Sequence, residues 1–141
     1  MYISKLPVKG KFAYSNVPDI DFLQKYSEQH FEEHQLIVSG INALLDYLGK
    51  PKLKNVEEFG LVIWDKTQWE IFFKKNFEQH LLFYSKLNEI GSSLTVPVFV
   101  APKLYPSMKP DFPLETFFFY EWQIHNLTMN AINKINQTLG I

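Results

Sequence analysis

The chain has 141 residues, a formal net charge of −1, no cysteine, and 14 basic residues that are all lysine. That length is one ordinary domain able to bury a core without staples, while disulfides, thiolate metal sites and thiol nucleophiles are excluded. Balanced charge without arginine leaves no footprint for nucleic acid or anionic lipid and removes the side chain best suited to bidentate phosphate contacts.

Taken in chain order, residues 1–18 carry Pro7, Gly10 and Pro18 without helical period and read as an extended arm. A helix opens in "SNVPDIDF" (15–22). There Ser15 or Asn16 can cap, Pro18 fits the first turn, and Asp19 and Asp21 suit the positive helix end. It runs to Gly49, where "GKPK" stops it. "NVEEFGLVIW" (55–64) is either a short fourth helix or an extended segment. "TQWE" (67–70) is a capping-box pattern that opens a second helix reaching about Ile90. "GSSLTVPVFVAPKLYPSMKPDFP" (91–113) holds five of the eight prolines and reads as irregular or extended, with room in "TVPVFV" for one edge strand. Asp111 and Pro113 start a third helix that ends near Leu139.

No long internal repeat is evident along the chain. The expected architecture is therefore mainly α. It is a small bundle of three long helices (19–141), with an extended N-terminal arm (1–18) and a long Pro-rich connection. "MYISKLPVKGKF" lacks the apolar run of a signal peptide, and no segment approaches the roughly 18 apolar residues of a membrane span. Both point to a soluble chain, cytoplasmic or assembled in a particle, with no membrane partner.

At about 100° per residue each helix can be set on a wheel. Leu23, Tyr26, Ile37, Val38, Ile41, Leu44, Leu45 and Leu48 form the apolar stripe of the first. His30 lies at its centre and His34 beside it; Glu33 is near one edge, and Glu28 and Glu32 point away. Trp69, Phe72, Phe73, Phe77, Phe83, Tyr84 and Leu87 form the second stripe, with His80 central and Asn76 one turn earlier. Leu114, Phe117, Phe118, Ile124, Ala131, Ile132, Ile135 and Leu139 form the third, with Glu121 central and His125 and Thr128 close by. All four histidines of the chain thus face inward together with one glutamate.

Height along the helices gives a second test. With neighbouring helices antiparallel, His34 lies 14 residues before Leu48 and His80 lies 12 after Gln68. Likewise His80 lies 10 before Ile90 and His125 lies 11 after Leu114. At a rise of ~1.5 Å per residue these offsets come to about 1.5–3 Å, so the groups share one layer.

A buried carboxylate needs a cation, a hydrogen-bond partner or a proton. One solution is a transition metal held by His30, His34, His80, Glu121 and His125. Imidazole and carboxylate suit Fe, Mn, Zn or Ni, and HxxxH on a helix supplies two ligands from one face. The other is a His–Glu network that sets helix register without metal.

"YSEQHFEEH" (26–34) resembles the ligand helix of hemerythrin-type bundles, and Asn76/His80 has the spacing of that family's paired histidines. His34 stands where that family has Glu and Asn76 where it has His, and the helix order differs, so no family is assigned. There is no glycine-rich phosphate loop, hence no nucleotide cofactor, and no G-x-S-x-G.

The third helix is aromatic on several sides in "ETFFFYEW", with Phe119 and Trp122 away from the stripe centre. Either the arm and the Pro-rich connection cover these rings or another chain does. The latter implies a homo-oligomer or neighbouring subunits. It also supplies the alternative reading: a structural assembly subunit, such as a phage ring or connector component, in which the histidines are core residues.

Overall fold

The computed structural model describes residues 20–54, 66–96 and 114–141. Three helices account for nearly all of this: α1 (Ile20–Tyr47), α2 (Lys66–Ser93) and α3 (Leu114–Leu139). Each packs on both others, and there is no strand among the described residues. Among the described residues no helix is long and apolar enough to cross a membrane. The expected arm, the 55–64 segment and the "TVPVFV" edge strand from Pro97 onward lie outside the described residues. So do the side chains of Leu23, Tyr26, Trp69, Phe73, Leu114, Phe117, Phe118, Phe119 and Trp122.

All three helices end in one way. A residue in the left-handed region, Gly49 (φ 68°), Thr95 (φ 55°) or Gly140 (φ 74°), turns the chain. The residue after it donates back five positions: Lys50 N to Leu45 O at 2.8 Å, Val96 N to Gly91 O at 3.0 Å, and Ile141 N to Asn136 O at 3.0 Å. These are Schellman ends, which satisfy carbonyls that a bare helix terminus leaves without a donor. In α2 this carries the helix three residues past the expected stop at Ile90, through Gly91, Ser92 and Ser93. The glycine sits inside the last turn, and threonine takes the turning position.

The helices are parallel, a direction that the sequence leaves open and that replaces the antiparallel pairing assumed for the height comparison. His30 meets Phe72 and Asn76, and His34, one turn on, meets Gln79, His80 and Phe83. On α3 the partners climb in the same order, with Glu121 against His30, His125 against His34, and Ile132 against Gly40. Partner numbers that rise together mean helices that run together. The chain must therefore travel back between helices. A 28-residue helix is about 42 Å long, and the 18 residues between α1 and α2 can reach roughly 60 Å. Long connections make the parallel arrangement feasible.

Parallel helices at equal height reveal an internal repeat that the linear sequence hides. His34, His80 and His125 are 46 and 45 residues apart, and each lies 15 residues before the residue that turns its helix end. In the same register fall Ile41, Leu87 and Ile132, then Asn42, Asn88 and Asn133, then Leu44, Ile90 and Ile135. Leu36, Leu82 and Leu127 also correspond, and all three face outward at 39%, 44% and 41% exposure. The bundle is three copies of one helical unit about a quasi-threefold axis.

The apolar core occupies the C-terminal half, built from Ile37, Ile41 and Leu44 of α1, Phe83, Leu87 and Ile90 of α2, and Met129, Ile132 and Ile135 of α3. Gly40 lets α1 and α3 close together, since a Cβ there would stand 3.2 Å from two carbons of Ile132. A three-helix core has a narrow stripe. Phe77, placed in it by the wheel, is instead 37% exposed, while Glu33, placed at an edge, is only 3% exposed.

Among the described residues Thr95 is the one non-glycine residue at positive φ, and a β-branched side chain is poorly suited there. Its hydroxyl bonds only the adjacent carbonyl of Leu94 at an exposed position. Thr95→Gly is expected to raise the unfolding free energy by about 1 kcal/mol; a denaturant titration that shows a loss instead contradicts this account of the α2 end.

Candidate metal centre

Each helix contributes a pair four residues apart: His30 and His34 from α1, Asn76 and His80 from α2, Glu121 and His125 from α3. Four residues is just over one turn, so both members project from the inward face. Because the helices are parallel and in register, the six side chains stack as two layers of three. The upper layer, toward the helix N-termini, holds His30, Asn76 and Glu121; the lower holds His34, His80 and His125. None of the six is more than 3% exposed.

The lower layer is close to an equilateral triangle, with ring centroids 4.8 Å apart for His34 and His80, 4.9 Å for His34 and His125, and 5.0 Å for His80 and His125. The upper layer is a hydrogen-bonded ring. Asn76 Nδ2 donates to Glu121 Oε1 at 2.6 Å, which turns Asn76 Oδ1 toward His30 Nε2 at 2.9 Å. An amide oxygen only accepts, so His30 carries its hydrogen on Nε2 and also faces Glu121 Oε2, at 3.1 Å.

Glu121 Oε2 is shared between the layers. It lies 3.3 Å from His125 Nε2 and 3.5 Å from His80 Nε2, and His125 Nε2 is 3.1 Å from His34 Nε2. One ligating atom from each of His30, His34, His80, Glu121 and His125 lies within 4.8 Å of all the others. The five residues singled out by the sequence are thus one cluster. Thr128 is not part of it, as its hydroxyl donates to the Ile124 carbonyl one turn back.

Behind the lower layer stand two acceptors. Gln79 Oε1 accepts from His34 Nδ1, and Glu33 Oε1 stands 3.5 Å from His125 Nδ1. Holding hydrogen on Nδ1 leaves Nε2 to point inward, which is how outer groups orient metal-binding imidazoles. His80 differs: its Nε2 comes no closer than 3.5 Å to Glu121 Oε2, and its Nδ1 has no hydrogen-bond partner among the described residues. Gln79 escaped the sequence reading because a glutamine beside a helix stripe is indistinguishable from a surface residue. Its one signal is register, since Gln79 corresponds to Glu33 in the repeat.

Charge is distributed unevenly over this cluster. Burial drives the His34 pKa well below 6.5, with the neighbouring His30, His80 and His125 adding to the effect. Burial also lowers His80, although Glu121 opposes it. His125 goes the other way: burial disfavours its charge, but Glu121 and Glu33 outweigh that and lift it to about 9. Burial likewise works against the Glu121 carboxylate, yet His80 and the bonds from His125 and His30 hold it well below 4.5. At neutral pH the metal-free cluster therefore contains an imidazolium at His125 lodged between two carboxylates.

Comparison with protein-family profiles, with characterised proteins and with solved structures finds no match for this chain.

These shifts set the pH response of the chelated protein. His34 and His80 have lowered folded pKa values, so their contribution is present above about 6.5 and is lost as pH falls below it. His125 is raised, so its contribution is present below 6.5 and disappears as pH climbs through about 9. Stability in the presence of chelator is expected to peak near pH 6.5–7 and fall on both sides; denaturant midpoints that rise steadily from pH 5 to 10 would contradict it.

Proposed function

We propose that this protein is a metal-binding helical bundle whose His/Glu centre takes one first-row divalent transition metal per chain. The observation that carries the reading is the convergence of five buried ligand atoms within 4.8 Å of one another. Imidazole with carboxylate is a donor set for Zn, Fe, Mn or Ni. The oriented Nδ1 positions of His34 and His125 are the accompaniment such ligands usually have.

The competing account, a hydrogen-bond network that sets register without metal, fits the upper layer well. It fits His80 poorly. A buried imidazole whose Nε2 stays 3.5 Å from Glu121 and whose Nδ1 has no hydrogen-bond partner among the described residues loses about 1–3 kcal/mol, and a network evolved for its own sake would supply a closer partner. A metal ion does so directly. The assembly-subunit alternative gains no comparable support among the described residues.

Elemental analysis of untagged protein grown in metal-supplemented medium is expected to give about one equivalent per chain, and a value far below one rejects the reading. His80→Ala is expected to abolish binding, and Glu121→Gln to weaken it less, because a neutral amide oxygen still ligates. Chelator should lower the melting temperature of wild type but leave that of His80→Ala unchanged. Equal melts of wild type with and without chelator would favour the network.

Acid should release the ion as protons compete for the imidazoles, mostly below about pH 6 given an ordinary His pKa of ~6.5. Full metal retention at pH 4, measured after desalting, is incompatible with histidine ligation.

A further inference from the structure

The quasi-threefold symmetry distinguishes ligands from supports within the cluster, a step that rests on the metal-binding reading above. Only one residue type recurs in all three copies of the inward pair, and that is the lower histidine. The upper positions diverge into His30, Asn76 and Glu121. Hydrogen bonding in the upper ring runs in one sense, from His30 on α1 to Asn76 on α2 to Glu121 on α3. It shares the His30 Nε2 hydrogen between Asn76 Oδ1 and Glu121 Oε2 and leaves no lone pair there for a metal. It also occupies Glu121 Oε1 and leaves Oε2 directed at the lower triangle.

We infer that the ion is held by four groups, the Nε2 atoms of His34, His80 and His125 and Oε2 of Glu121, as a closed tetrahedral site of Zn2+ type, with His30 and Asn76 as positioning residues. The spacing fits. A tetrahedron with bonds of ~2.05 Å has edges of about 3.3 Å, and three of the six edges are 3.1 Å for His34 to His125, 3.3 Å for His125 to Glu121, and 3.5 Å for His80 to Glu121, with all within 4.8 Å. Four protein ligands leave no position for substrate, so the ion ties three parallel helices together and is not a catalytic centre.

The same symmetry explains why the Nδ1 of His80 has no partner among the described residues. The acceptor behind each histidine comes from the next helix in the cycle, one position before that helix's own histidine. Gln79 of α2 serves His34 of α1, and Glu33 of α1 serves His125 of α3. The corresponding acceptor for His80 would come from α3 at position 124, and that residue is Ile124. Isoleucine cannot accept, and His80 Nδ1 has no partner. One of three outer supports is missing, and the sequence position where it belongs is identified.

Titration with Co2+ followed by visible absorption tests the assignment, with far-UV circular dichroism reporting whether each variant is folded. Wild type is expected to bind one Co2+ with the intense bands of tetrahedral coordination, unchanged by added azide. His30→Gln should keep both stoichiometry and band intensity. His34→Gln should lose more than about 100-fold in affinity, and Gln79→Leu about 10-fold. Ile124→Gln should gain roughly 10-fold by supplying the third acceptor.

Azide-sensitive bands, weak octahedral bands, loss of Co2+ in a folded His30→Gln, or an Ile124→Gln with unaltered affinity would each overturn the four-ligand assignment while leaving metal binding intact. Wild type that binds neither Co2+ nor Zn2+ removes the metal reading itself. The azide and Ile124→Gln measurements decide the matter even if His34→Gln fails to fold.

Discussion

Glu121 is a charged carboxylate with no exposed surface, and the site is organised around that constraint. A buried charge is tolerated only with opposite charge and hydrogen bonds close by. Asn76 takes one oxygen; His30, His80 and His125 gather about the other. The imidazolium at His125 compensates the charge when no metal is present, and Glu33 on its far side holds that ring from behind. Each satisfied group thereby orients the next, from α3 to α2 to α1 and back.

Those contacts require the three helices to lie at one height, and the architecture supplies this through repetition. In each unit the polar layers precede the aliphatic packing, and a left-handed residue ends the helix 15 positions past the lower histidine. The core fixes rotation and the Schellman ends fix length. Gly40 adjusts spacing, by letting Ile132 sit where a side chain would otherwise intrude. Parallel packing keeps equivalent residues level, which an antiparallel arrangement of the same units would not. The consequence for chemistry is a near-equilateral triangle of imidazoles beside a buried carboxylate.

Departures from symmetry matter as much as the symmetry. Identical upper positions would have given three like charges or three neutral groups around the axis. Divergence to imidazole, amide and carboxylate instead provides one donor, one group that both donates and accepts, and one acceptor, which close into a ring. The outer acceptors diverge too, with Glu33 and Gln79 retained as polar groups and Ile124 apolar. Thr95 is the same phenomenon at a helix end, a residue in a place where its two counterparts are glycine.

Much of this was written in the linear pattern. Apolar periodicity with a 3.6-residue period determines that three segments are helices and which side of each faces in. That is a local property, so His30, His34, His80, Glu121 and His125 could be assigned to the interior from spacing alone, as could the ends at Gly49 and Leu139. Tertiary structure decided what local pattern does not encode. Helix direction depends on how long connections route the chain, and wheel positions are the same for a helix run either way. Phe77 and Glu33 were misplaced because the width of a buried stripe depends on how many neighbours cover it. Gln79 joins the cluster only through a residue 45 positions away on another helix. Even the threefold repeat, present in the residues throughout, acquires meaning only once parallel packing sets equivalent positions side by side.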